Sequence, residues 1–84
     1  MKDKIIVKEG VWYDSKMVKR KVRITIADDQ VNDKRKRFSV WFDNEKEQFG
    51  IHGGYYSSEY EAIDMIEIIT GQKVQWHNVS EQPV

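Results

Sequence analysis

Lys19, Lys21 and Arg23 recur at every second position, and so do Arg37, Ser39 and Trp41. On extended backbone that spacing places each set on one face of its strand. Lysines and arginines neutralise phosphates and release their counterions, and an indole among them can stack on an unpaired base or lie against a sugar. The run Lys34, Arg35, Lys36 and Arg37 extends the same positive field. The chemistry on offer is the binding of a polyanion, with DNA as the first expectation. A solvated basic face is the competing reading: lysines keep sheets from pairing edge to edge, and cations can pair across strands with carboxylates such as Asp28, Asp29 and Asp33. Trp41 favours binding, because an exposed tryptophan is harder to explain than an exposed lysine.

Bond-making chemistry finds no comparable set of residues. There is no cysteine, so neither a disulfide framework nor a thiolate metal site is available. His52 and His77 fall on different elements, and two histidines alone do not make a metal site. No serine sits in a nucleophile-elbow pattern, and the carboxylates gather on the outer side of a helix rather than around a cleft. Gly53-Gly54 is too short for a phosphate-cradling loop and reads as backbone freedom between strand and helix. We therefore expect a non-enzymatic protein without cofactor or metal, and with no small-molecule substrate.

A second surface could take a protein partner. At helical spacing Glu61, Asp64 and Glu67 share a side, with Ile68 in their midst and Tyr60 at the margin. Most helices with such a face simply turn it to water, but an isoleucine among the acids leaves room for a partner or for self-association. The alternative function is thus a protein-binding adaptor or inhibitor, of the kind carried by phages and mobile elements.

These residues need elements to hold them. The 84 residues suffice for one core. Their zero net charge hides a split: twelve cations against six anions through Arg37 give +6, and two against eight from Phe38 onward give −6. Lys4 to Lys8 is a short β-branched run, continued past a bulge at Gly10 by Val11-Trp12-Tyr13. A turn at Asp14-Ser15-Lys16 leads into Met17 to Ala27, where Val18, Val22, Ile24 and Ile26 alternate with Lys19, Lys21, Arg23 and Thr25. Arg20 alone interrupts the apolar side. Asp28 to Asp33 reads as a loop, Arg35 to Asp43 as a strand with Phe38, Val40 and Phe42 inward, and Gln48 to His52 as another with Phe49 and Ile51 inward. Gly53-Gly54 would end the sheet run, and Tyr55 and Tyr56 would staple the helix entry.

Ser58 with Glu61 three residues on predicts a capped helix from about Glu59 to Thr70, stopped by Gly71. Ala62, Ile63, Met65, Ile66 and Ile69 form its predicted buried stripe. Gln72 to His77 could add an edge strand with Val74 and Trp76 inward. The expected fold is α+β, one domain over 1–77 with a small antiparallel sheet of four or five strands and one helix on one face, in the order β-β-β-β-α-β. Residues 78–84 read as a frayed tail. The amino terminus lacks the long apolar core of a signal peptide, so a cytoplasmic location is expected.

From Phe38 to Glu67 the order of strand, turn, strand, double glycine and helix, carried by RFSVWF (from Arg37), the turn DNEK and GGYYSSEYEA, resembles the sheet-plus-helix DNA-binding modules of tyrosine-recombinase arm-binding domains and plant AP2 domains. The resemblance covers about a third of the chain. It implies a sheet that enters the major groove with the helix bracing it from behind. Gln48 to His52 departs from the pattern by carrying no lysine or arginine.

Overall fold

The architecture, from a computed structural model that describes residues 5–30 and 32–79, is one antiparallel sheet of five strands with a single helix across one face. Strands β1 (Ile6–Tyr13), β2 (Lys19–Ile26), β3 (Phe38–Phe42) and β4 (Ile51–Tyr56) precede helix α1 (Glu59–Thr70), and β5 (Gln75–Asn78) follows it. Across the sheet the order is β4-β3-β2-β1-β5. The first four strands therefore form a meander of neighbours, which short connections permit only if they run antiparallel. The helix carries the chain from one edge to the other, where β5 adds to β1. This is the α+β arrangement that the alternation and the helix signals predict.

Strand β2 lies at the centre, and its alternation assigns the two faces. Val22 and Ile24 are fully buried on the helix side, where they meet Val40, Ala62, Ile66 and Val74. Trp12, Phe38, Phe42, Tyr56, Ile63 and Trp76 pack around that cluster, with Trp12 and Phe42 edge to face at 6.4 Å. Local signals fix the helix ends. The Ser58 hydroxyl accepts the Glu61 N–H at 3.1 Å, and Gly71 adopts the left-handed conformation at φ 70° while its N–H bonds the Glu67 carbonyl.

One carboxylate organises the β1–β2 hairpin. Oδ1 of Asp14 accepts the backbone N–H of Lys16 and of Val18, and Oδ2 accepts Nε of Arg20 at 3.0 Å. Arg20 reaches further to Glu45 at 3.3 Å, so the cation that interrupts the apolar side of β2 is held in a two-acid bracket instead of extending into water. The tip this builds holds Met17 at φ 62° with its side chain exposed. That left-handed geometry is uncommon outside glycine and asparagine, and the hydrogen bonds around it hold it in place.

Several local expectations give way to packing. The irregularity of β1 lies between Ile6 and Lys8, not at Gly10. Gly10 instead lets β5 approach: a Cβ there would meet Val74 Cγ1 at 2.5 Å and the Trp76 ring at 2.9 Å. Lys34–Lys36 forms a 3-10 turn in which the Asp33 carboxylate accepts the Arg35 N–H, so β3 begins only at Phe38. Asp28–Gln30, read as loop, is a second such turn. Strand β4 starts at Ile51 and runs through Gly53-Gly54 to Tyr56, with the glycines at a register shift opposite β3. Tyr55 and Tyr56 are therefore strand residues, and Phe49 lies before the strand in a left-handed conformation at φ 54°. On the helix only Ala62 and Ile66 are fully covered, while Met65 and Ile69 are exposed. Strand β5 joins the sheet, and Val79 still donates to the Val7 carbonyl, so the ordered chain extends past residue 77. The remaining tail expectation, 80–84, lies outside the described residues. No helix among the described residues is long and apolar enough to cross a membrane.

Two expectations about stability follow from these contacts. Gly10→Ala forces β1 and β5 apart and should cost about 1–3 kcal/mol in urea unfolding; an unchanged midpoint would mean that β5 does not pack over Gly10. The Val18 N–H, then Arg20 and the Lys16 N–H, hold the Asp14 carboxyl below its ordinary value of 3.8. Its stabilising contribution is complete above that ordinary value and is lost as pH falls through the lower folded one. The stability difference between wild type and Asp14→Asn should therefore shrink on acidification from about pH 5 to about pH 2, read from thermal melts across that range.

Candidate nucleic-acid interface

The register of the sheet lines up the side chains opposite the helix. Glu9 pairs with Arg23, Arg23 with Trp41 and Trp41 with His52, while His77 stands beyond Glu9 on β5. The next row toward the β2–β3 connection holds Thr25, Ser39 and Tyr55. In the other direction Lys21 and then Lys19 continue down β2. Sequence alternation thus brings Lys19, Lys21, Arg23 and Trp41 onto one face.

Arg23 is clamped in the middle of that face. Its Nε donates to Glu9 at 2.6 Å, and its guanidinium lies 4.0 Å from the centre of the Phe49 ring. The ring is brought there by residues 43–50. Asp43 continues β3 by donating its N–H to the Lys21 carbonyl, Asn44 caps the following turn through the Lys46 and Glu47 N–H groups, and the chain then folds back to set Phe49 on Arg23. Phe49 is only 4% exposed yet stands apart from the core beneath the helix. The face opposite the helix therefore has a small packed centre of its own. Glu9 neutralises part of the Arg23 charge, and what remains is presented beside an aromatic ring.

Trp41 is anchored as well. Its Nε1–H donates to Oγ1 of the fully buried Thr25 at 3.2 Å. Its ring touches that of His52 with centroids 4.6 Å apart, and His52 touches Tyr55 at the same 4.6 Å. Lys36 completes the series, its Nζ lying 5.5 Å from the centre of the Tyr55 ring. Three rings in contact thus lie between Arg23 at one end and Lys36 at the other. Sequence reasoning misses Phe49 and Tyr55 as parts of this surface, because alternation puts Phe49 in a strand and the nearby cap puts Tyr55 at the helix entry.

The remaining cations spread outward. Lys19 is exposed and Lys21 half-buried. Lys34 is exposed, and Arg35 is mostly exposed with a loose contact to Asp33 at 3.4 Å. Arg37 leaves the row: the turn that delays β3 places it beside Ile26, Ala27, Gln30 and Phe38, at the rim of the helix side. Gln48 belongs to the exposed connection before β4.

The acidic helix face divides in two. Glu67 braces the fold, accepting the Val74 N–H at 3.1 Å and lying 3.7 Å from Lys73. Glu61 takes the Ser57 hydroxyl, whereas Asp64, Tyr60 and Ile68 face outward. On the flank toward β4, Ile69 and Ile51 line a shallow cleft with Trp12, Phe42, Asp14 and Arg20. Among the described residues no group of three or more histidines and carboxylates converges as a metal cage would require. No family model, curated protein or solved structure matches this chain.

The Phe49–Arg23 contact generates a measurable expectation. Phe49→Ala removes a nearly buried ring and should lower unfolding free energy by roughly 3 kcal/mol. A loss under about 0.5 kcal/mol, the level of an ordinary surface substitution, would show that the 43–50 connection does not pack on the sheet.

Proposed function

We propose that this protein binds nucleic acid through the sheet face opposite its helix, without catalysing a reaction on it. One observation carries the reading: Lys19 and Lys21 at one end and Lys36 at the other bracket a continuous set of rings, Trp41, His52 and Tyr55, on a single face. Cations supply the phosphate affinity and rings supply contact with bases, a combination suited to a flexible polyanion and of little use to a merely solvated surface. Arg23 contributes more to positioning than to charge, since Glu9 already holds it. Lys34 and Arg35 widen the field beside Lys36. Arg37, at the helix-side rim, contributes only at long range.

A protein-binding role has its own support on the opposite surface. Tyr60 is 82% exposed, Ile68 72% and Ile69 58%. A helix face turned only to water gains nothing from exposed apolar side chains of that size. We place this second, because a partner there leaves the ring-and-lysine face without a use. Ile68→Lys separates the two readings: it should leave oligonucleotide binding intact while abolishing any self-association seen by sedimentation.

The triple variant Lys19→Ala, Lys21→Ala, Lys36→Ala tests the leading proposal. Fluorescence anisotropy with labelled oligonucleotides between about 50 mM and about 200 mM salt should show steep salt dependence for wild type. The variant should bind more weakly, with a salt slope shallower by roughly 0.7–0.9 for each phosphate it no longer neutralises. An unchanged slope would overturn the assignment of these lysines.

A further inference from the structure

We infer that the nucleic acid recognised is single-stranded, with unpaired bases stacking on the surface made by Trp41, His52 and Tyr55; this rests on the nucleic-acid reading above and specifies its ligand.

The shape of the face argues against a duplex. Reading a major groove takes an element that projects into a channel about 12 Å wide, such as one helix or a two-stranded ribbon. The cationic strand here is β2, the third of five across the sheet. Five strands span roughly 19 Å between outer axes at about 4.8 Å each. The connection carrying Phe49 is folded down over Arg23 of β2. Held flat against a duplex, this surface would meet mainly phosphates and leave the rings little to stack on. Bases in a duplex already stack on one another, so their flat sides are not on offer.

An unpaired strand meets the opposite situation. Trp41, His52 and Tyr55 occupy adjacent positions of β3 and β4, each in contact with the next at 4.6 Å. His52 is exposed and its neighbours are half-buried, so the set is seated on the sheet, with the His52 ring tilted 43° to Trp41 and 68° to Tyr55. The Thr25 hydroxyl holds the indole by its nitrogen, which limits the ordering entropy left for binding. A surface of this extent accommodates about two bases, as aromatic pairs on other small sheets do. Lys36, now over Tyr55, can turn to a phosphate on one side, and Lys21 and Arg23 stand beside the path on the other.

The decisive experiment compares a labelled single-stranded 12-mer of mixed sequence with a hairpin duplex containing the same sequence, by anisotropy at low salt. Wild type and the double variant His52→Ala, Tyr55→Ala are titrated with both, after amide spectra confirm the variant's fold. Should the variant fail to fold, His52→Ala alone, at an exposed position, replaces it. At least tenfold tighter binding of the single strand is expected, and a loss of roughly tenfold or more for that ligand in the variant, the scale of removing one or two stacked bases from their rings. Equal or tighter duplex binding, or a variant that binds the single strand as wild type does, overturns the inference and leaves a phosphate-directed protein. Binding to neither ligand overturns the nucleic-acid reading itself.

Discussion

One helix of twelve residues, about 18 Å long, can cover only one face of a five-stranded sheet. Much of the molecule follows from that limit. The covered side holds the apolar core around Val22, Ile24, Val40 and Ile66. The other side must be stabilised without a second layer, and the chain does so with side chains that are polar at one end and apolar along their length. Arg23 joins Glu9 to the Phe49 ring, and Trp41 lies across the sheet with its nitrogen on Thr25. This arrangement shields the central backbone of the face without turning it into a hydrophobic interior. It also leaves rings and cations outermost, and the proposed binding function uses that by-product of an uncovered sheet.

The division of charge between the halves of the chain takes physical form in this arrangement. Among the described residues, β2 and the connection to β3 carry most of the exposed cations, whereas the acids of the second half sit on the helix and before β4. Lys19, Lys21 and Arg23 of β2 lie on the face away from the helix, and the helix carries Glu61 and Asp64 outward on the other side. In the proposed function, this distribution would attract a polyanion to one side and repel it from the other, orienting the encounter before contact. Among the described residues, two carboxylates at the cationic face are already engaged. Glu9 is tied to Arg23 and Asp43 receives the Lys21 N–H, so neither projects as a free negative group.

Legibility in the sequence follows the range of the interactions involved. The helix can be read to the residue at both ends, because Ser58 and Gly71 act through hydrogen bonds within one turn. Strand β2 can be read because a period of two is imposed on every residue by the pleat. The Gly53-Gly54 pair cannot, since two glycines signal a stop equally well as a bulge, and only the pairing of Ser39 with Tyr55 decides. Phe49 reads as a strand residue because alternation cannot reveal a left-handed backbone at a bulky side chain. Met65 and Ile69 fit the apolar stripe by spacing, yet the sheet beneath reaches only as far as Ala62 and Ile66. Asp33 displaces the start of β3 by capping a 3-10 turn, and with it Arg37 leaves the cationic face. The aromatic contact among Trp41, His52 and Tyr55 arises from the sum of these tertiary choices and has no signal in any single segment.

If the face opposite the helix is the binding surface, backbone amide NMR during titration with a short single strand at low salt should reveal it residue by residue. Salt-sensitive shifts are expected at Lys21, Arg23, Lys36, Trp41, His52 and Tyr55, with the amides of Asp64 and Ile68 unmoved. Shifts confined to the helix, or none on the sheet at any concentration reached, would show that this face does not bind nucleic acid.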